Sequence, residues 1–275
     1  HHLGAQSAQD PGGAPQLPLL LFSCQAGRGI VGVAMHGDLV AVRVPGKARK
    51  NRKQRRGGKG RIGIITKEED FVKSLFVAST HDYILFFTQT GQCHWLRVHE
   101  IPQAGRAAKG TAIVNLLQLG KDEAIAAFIT AREFDDDHFV IMATRKGVVK
   151  KTPLEQYSRP RQNGIIAINI REEDELLEAK LTTGASQIFL GLKSGKAIRF
   201  EESKTRPMGR NASGVRGITL ADDADEVIGM VSVHNFDEDI LVVSENGYGK
   251  RSSIEDYRLT NRGGKGVKTI SITKK

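Results

Sequence analysis

The sequence predicts an all-β chain, a propeller-like array of small four-stranded sheets. Three observations carry that reading. Turn glycines recur at a period near 50, each between two short apolar stretches. A second glycine follows each turn glycine at a nearly fixed offset, and no long helical periodicity competes with this pattern.

The turns come first. Four are clear: Thr90-Gly91-Gln92, Lys146-Gly147-Val148, Ser194-Gly195-Lys196 and Asn246-Gly247-Tyr248. His36-Gly37-Asp38 is a weaker earlier copy, and the glycine spacings are 54, 56, 48 and 52. Apolar runs on both sides, such as 83–88 and 93–98 around Gly91, are the mark of a β-hairpin. Next come the loop glycines Gly60, Gly110, Gly164, Gly214 and Gly266, which lie 23, 19, 17, 19 and 19 residues beyond the turns. Each precedes a short apolar or alternating segment, clearest at 165–170, 215–220 and 267–272. Acidic clusters follow: Glu68-Glu69-Asp70, Asp122-Glu123, Glu172-Glu173-Asp174-Glu175 and Asp222-Asp223-Ala224-Asp225-Glu226. A further apolar stretch, as at 71–79 and 227–233, leads into the next hairpin.

Four strands per unit gives five units, at about 25–64, 65–118, 119–171, 172–221 and 222–275. Residues 1–24, rich in Gly, Pro, Ala and Gln, read as a linker, tag or unrelated extension. A strand of about six residues, roughly 20 Å long, is expected between each loop glycine and its acidic cluster, so that the two lie at opposite ends of a sheet. The acidic clusters read as solvated turns, because oxygens from separate units do not converge as metal ligation requires.

The chain has 275 residues, with 39% hydrophobic and 26% charged, which excludes a largely disordered polymer. Apolar runs reach only six residues, as at 17–22, which includes Pro18, too short for a membrane span. Cys24 and Cys93 make neither a disulfide framework nor a zinc pair, which favours a reducing, cytosolic setting. The start at His1-His2 reads as a fragment boundary or tag remnant.

The net charge of +10 is concentrated. Residues 39–67 hold eleven Lys or Arg and no acid, which leaves 30 basic and 31 acidic residues elsewhere. Such a block repels itself unless a polyanion neutralises it, so it points to nucleic acid or an anionic membrane surface, with a solvated basic linker as the bland alternative. Within it stands Gln54-Arg55-Arg56-Gly57-Gly58-Lys59-Gly60. Three glycines in four residues allow close backbone approach to a surface. Guanidinium forks, an ammonium and bare N–H groups together make a grip for phosphate oxygens. No Ser or Thr follows the lysine and the P-loop spacing is absent.

This string resembles the gyrase-A box of the DNA gyrase A C-terminal domain family. Glu68-Glu69-Asp70-Phe71, Ser79-Thr80-His81-Asp82, Ile113-Val114-Asn115-Leu116-Leu117, Gly214-Val215-Arg216-Gly217-Ile218 and Asn246-Gly247-Tyr248-Gly249-Lys250-Arg251 are similar to the same family, over roughly residues 53–273. Topoisomerase IV relatives usually lack or degrade the box. Asn261-Arg262-Gly263-Gly264-Lys265-Gly266 repeats most of it in the fifth unit. The resemblance implies a β-pinwheel, usually of about six blades against five units here, whose basic rim wraps duplex DNA.

The resemblance further implies that ATP-driven strand passage by the parent type II topoisomerase introduces negative supercoils. It implies as partners double-stranded DNA, the rest of gyrase A, and gyrase B, in a heterotetramer. Location would be cytoplasmic and nucleoid-associated, with no membrane. No cofactor is expected in this domain, since ATP and Mg2+ act on other domains. Gln54, Arg55, Arg56, Gly57, Gly58, Lys59 and Gly60 would anchor the wrap. Arg106 and Lys109, Arg159 and Arg161, Arg206 and Arg210, and Arg262 and Lys265 would continue the track.

No catalytic residue is expected. Tyr157 and Tyr257 each fall ten residues after a hairpin glycine and read as structural; Tyr83 and Tyr248 lie in hairpin strands, and His94 and Trp95 read as packing residues. Two other readings remain open: a topoisomerase IV-type C-terminal domain that steers substrate choice, and a protein-interaction propeller.

Overall fold

The computed structural model describes residues 78–104, 111–120, 123–234, 239–244 and 248–271. Their strands are β1 (Tyr83–Thr88), β2 (Gln92–Arg97), β3 (Ile125–Ala131), β4 (Phe139–Thr144), β5 (Val148–Pro153), β6 (Ile165–Ile166), β7 (Leu176–Thr182) and β8 (Gln187–Leu192). The series continues with β9 (Lys196–Glu201), β10 (Val215–Arg216), β11 (Val227–Val233), β12 (Asp239–Val243), β13 (Gly249–Ser253), β14 (Leu259–Thr260) and β15 (Val267–Lys268). Helical structure among the described residues is confined to 3-10 turns of three or four residues, such as Leu154–Tyr157 and Ile254–Asp256. The all-β expectation holds. The first predicted unit, residues 1–24 and Gly247 lie outside the described residues.

The predicted hairpins are β1–β2, β4–β5, β8–β9 and β12–β13, all antiparallel. At the first two turns a threonine hydroxyl accepts the amide that opens the second strand: Thr88 from Gln92 at 3.1 Å and Thr144 from Val148 at 3.1 Å. Ser244 accepts from Tyr248 in the same way at 3.2 Å.

The outer strands of each sheet come from the next sequence repeat. The first sheet runs β3-β1-β2-β6 and the second β10-β5-β4-β7. The third runs β11-β8-β9-β14, with β15 also paired to β9. Thus the repeat at 119–171 supplies β3 and β6 to the first sheet but β4 and β5 to the second. Sequence repeat and sheet are different units, and every sheet is knitted to its successor. The described residues complete three sheets and the central hairpin of the last.

The strand expected between each loop glycine and its acidic cluster is much shorter than six residues. β6, β10 and β15 have two each. The cause is local. The carbonyl of each hairpin glycine captures two successive amides just past the short strand and draws the chain off the sheet. Gly91 accepts from Ala167 and Ile168, Gly147 from Gly217 and Ile218, and Gly195 from Thr269 and Ile270, at 2.8 to 3.2 Å.

In the three complete sheets the first hairpin strand buries both faces, which is why 83–88, 139–144 and 187–192 read as nearly continuous apolar runs. Leu85 and Phe87 pack with Val140 and Met142 between the first two sheets. Ile141 and Ala143 meet Ile188 and Leu190 between the second and third. Phe189 faces Ile240, Ile254 and Tyr257 under the last hairpin. No helix among the described residues is long and apolar enough to cross a membrane.

Candidate nucleic-acid interface

The loop glycines do the same work in three blades. Gly164, Gly214 and Gly266 have φ of 73°, 87° and 72°, the left-handed region that glycine tolerates. A Cβ there would stand 2.8 Å from the His94 ring, 2.7 Å from Val149 O and 2.6 Å from Ala197 O, respectively. Each loop therefore lies flat on the second strand of a hairpin, where a side chain would push it away.

Successive loops are also bonded to one another. Asn169, five residues past Gly164, donates its amide to Ala212 O at 3.2 Å. Thr219, five past Gly214, repeats the bond to Gly264 O at 2.8 Å and adds its hydroxyl to Gly263 O at 2.7 Å. Gly263 N–H returns a bond to Gly217 O at 2.6 Å. The three described loops thus form one laced edge.

On this edge Arg159, Arg161, Arg206 and Lys265 are exposed. Among the described residues none of the four takes part in an ion pair. Arg210 and Arg262 are half-buried and already engaged. Arg210 donates to Ile166 O at 3.3 Å, while Arg262 donates to Lys204 O at 2.9 Å and Arg216 O at 3.0 Å. Lys265 borders a shallow cleft of about 190 Å³ with Arg258 across it. Gln54, Arg55, Arg56, Gly57, Gly58, Lys59 and Gly60 lie outside the described residues, as do Arg106 and Lys109.

Two cations near the hairpin turns, Arg145 and Lys193, are neutralised instead. Arg145 pairs with Glu175 at 3.1 Å and Glu226 at 3.2 Å, and Lys193 pairs with Glu226 at 3.2 Å. Partial burial alone would raise the Glu226 carboxyl, but Lys193 and Arg145 hold it below its usual range. The acidic clusters are only partly the solvated turns expected. Glu172, Glu173, Asp222 and Asp223 are exposed, but Asp225 is 5% exposed and accepts from Ser194 N and Oγ at 2.9 and 2.8 Å. Asp174 accepts from Lys146 N at 2.9 Å. These carboxylates cap the neighbouring hairpin turn. No cluster of His, Cys, Asp or Glu among the described residues gathers as metal ligands do.

Beneath the edge lies a group the sequence did not disclose. Lys150 is fully buried and donates Nζ to Ala167 O at 2.6 Å and to Arg210 O. Burial, with Arg210 beside it, lowers its pKa to about 7. Arg216 is a second omission; like Lys268, which the sequence groups with Arg262 and Lys265, it is exposed two residues past a loop glycine. That shared offset is the signal that finds it. The structural readings of Tyr157, Tyr257, Tyr83 and Trp95 hold, whereas Tyr248 stands exposed one residue before β13 rather than within a strand. Tyr157 and Tyr257 are buried, Trp95 Nε1 donates to Tyr157 O at 2.9 Å, and Arg199 binds Tyr257 O at 3.0 Å from the equivalent strand position.

Comparison with known proteins agrees with this architecture. A family model described as DNA gyrase C-terminal domain, beta-propeller, matches residues 52–79, 82–132, 138–183, 193–234 and 238–275. The DNA gyrase A protein of Staphylococcus aureus is 48% identical over 226 residues, covering 82% of this chain and 25% of that protein. The chain thus spans about a quarter of the length of the curated relatives it matches. Among solved structures, the C-terminal domain of a DNA topoisomerase IV is 30% identical with TM-score 0.63, covering 68% of this chain and 58% of that one. A DNA gyrase A C-terminal domain is 25% identical with TM-score 0.59, covering 69% and 60%.

Proposed function

Because the chain belongs to the DNA gyrase C-terminal domain family, whose fold is a β-propeller, we propose that it binds duplex DNA along the laced edge and wraps it as part of gyrase A. The observation that carries this reading is the separation of paired from unpaired charge. Arg145 and Lys193 at the hairpin turns are matched by carboxylates, whereas Arg159, Arg161, Arg206 and Lys265 stand exposed on loops held in line. Such an edge offers positive charge to successive phosphates without base readout. The bend itself costs of order 1–6 kcal/mol per 20–30 base pairs, which phosphate neutralisation offsets.

In this reading the string from Gln54 to Gly60, with Arg106 and Lys109, extends the same track. The chain carries no catalytic group of its own. It serves an ATP-hydrolysing type II topoisomerase, a heterotetramer assembled from the rest of gyrase A together with gyrase B. ATP and Mg2+ act on other domains of that assembly, in the cytoplasm on the nucleoid.

The test is plasmid topology. Relaxed plasmid is incubated with the 275-residue chain and a nicking-closing enzyme at several salt concentrations. A shifted linking number at low salt that fades as salt rises is expected. An unchanged linking number where the chain binds would overturn the wrapping role. That outcome favours the second reading, a topoisomerase IV-type domain that steers substrate choice, which the TM-score of 0.63 to such a domain supports.

A further inference from the structure

The two arginines expected to grip DNA at the loop starts are turned inward, and in the same manner. Arg210 and Arg262 each stand four residues before a loop glycine, Gly214 and Gly266. Each sends Nη1 to the carbonyl two residues past the previous loop glycine. Arg210 reaches Ile166 O at 3.3 Å, and Arg262 reaches Arg216 O at 3.0 Å. Two successive junctions thus repeat one contact at matching sequence offsets.

We infer that Arg210 and Arg262 are positioning residues that fix the interval between neighbouring basic loops, while phosphate contact falls to Arg159, Arg161, Arg206 and Lys265. This rests on the DNA-binding reading above. A planar guanidinium suits the task because its donors diverge at fixed angles. Arg262 uses two arms of that fork, with Nε on Lys204 O at 2.9 Å and Nη1 on Arg216 O. One side chain thereby ties its loop both to the short strand of the previous loop and to the 3-10 turn Glu202–Lys204. Arg210 is tied through its backbone as well, since its amide donates to Gln156 Oε1 at 3.2 Å and its carbonyl accepts from Lys150. A guanidinium that ran out to a phosphate would release the carbonyl it holds. Spacing matters because a wrap needs its phosphate contacts at intervals matched to the duplex. A loop free to slide still binds but does not bend.

The same offset recurs in the sequence outside the described residues: Arg56 and Arg106 stand four residues before Gly60 and Gly110, whereas Pro160 occupies that offset before Gly164. Proline has no side-chain donor, so the loop ending at Gly164 has no such tie, and its cations Arg159 and Arg161 remain exposed.

The experiment separates charge from spacing. The intact chain and its Arg262→Lys, Arg262→Gln and Lys265→Gln variants are titrated with duplex DNA across salt, and each is run in the plasmid assay. Lys265→Gln lowers the slope of log K against log salt by about 0.9, the value for one lost phosphate contact. Arg262→Gln leaves that slope unchanged yet cuts the linking-number shift per bound chain. Arg262→Lys, which keeps the charge but not the fork, cuts the shift by about twofold or more. A slope lowered by about 0.9 in Arg262→Gln, or a full shift in Arg262→Lys, overturns the assignment. Hydrogen exchange on the free chains gives a DNA-independent arm. Arg262→Gln speeds exchange at the amides of Gly263 and Thr219 while β8 and β9 stay protected. Unchanged exchange at those two amides refutes the tie itself. If the unaltered chain fails to shift linking number, the wrapping function falls while this exchange result still stands or fails by itself.

Discussion

The junctions at Arg210 and Arg262 solve one problem with different chemistry. Both lay a basic loop on the second strand of a hairpin and bond it to the loop before. Under the first, the position three residues past the hairpin glycine is Lys150, whose buried ammonium holds Ala167 O and Arg210 O. Under the second the equivalent residue is Ile198, which lies in the apolar core. There the Arg262 fork and the Thr219 hydroxyl hold the loop from its surface. Both junctions carry the arginine contact, and the first adds a titratable group beneath it. The difference teaches that the backbone lacing and the arginine contact are the shared device, and the groups packed beneath and beside them are local means of securing it.

Removing the shared device should damage both junctions alike. Gly214→Ala and Gly266→Ala each force a left-handed alanine and drive a Cβ to 2.7 Å from Val149 O and 2.6 Å from Ala197 O. A loss of about 2–4 kcal/mol is expected for each in denaturant unfolding, with the two values close together. Gly249→Ala is the control, because its Cβ would meet nothing nearer than Val242 O at 3.4 Å. It stays within about 0.5 kcal/mol of the parent. Very unequal losses for Gly214 and Gly266 would show that the loops are not equivalent.

A smaller effect separates the junctions. Lys150 loses its proton near pH 7 in the folded chain and near 10.5 when unfolded. Between those values the unfolded chain binds the additional proton, so this group adds stability as pH rises and withholds it as pH falls toward 7. Cys93 acts in the opposite sense, because burial raises its thiol pKa and favours the unfolded chain above its ordinary value near 9. The clear window is therefore from about pH 7 to about 8.5. Thermal melts of the parent minus those of Lys150→Met should rise across it. A flat difference would place the ammonium outside the energetics of the first junction.

The smallest effect is expected at the core under the second junction. Tyr257 packs edge-on against Phe189 at 4.9 Å, and its buried hydroxyl has no hydrogen-bond partner among the described residues. Tyr257→Phe keeps the ring and removes a desolvated hydroxyl, so stability should change by less than about 1 kcal/mol, measured in denaturant. A larger loss would reveal a polar role for that hydroxyl.

The glycine period made the hairpins and loops legible, because left-handed backbone and tight approach leave glycine as the residue that fits. Strand exchange was not legible. Nothing in a local pattern tells whether β6 pairs with the adjacent β4–β5 hairpin or with the earlier β1–β2, since the choice rests on the amides that Gly91 O captures. The loop cations were found as a set, but their roles were not. Arg159 and Arg262 look alike in sequence, and only the position of a neighbouring carbonyl separates a free guanidinium from an engaged one. Nothing in the local sequence marks Lys150 and Lys151 as interior residues, yet both are buried. The Ala167 and Arg210 carbonyls that accept the first lie 17 and 60 residues further along the chain.

Knitting each sheet to its successor also governs how the chain acquires structure during synthesis. Gln92 pairs with Ile166, so the first sheet cannot finish until 74 more residues have been made. At translation speeds of about 5–20 residues per second that delay is roughly 4–15 seconds. Through that time β2 presents an unfilled edge to solvent, open to chance pairing with another nascent chain. Each of the three described sheets thus stays unfinished until the following repeat supplies its outer strands.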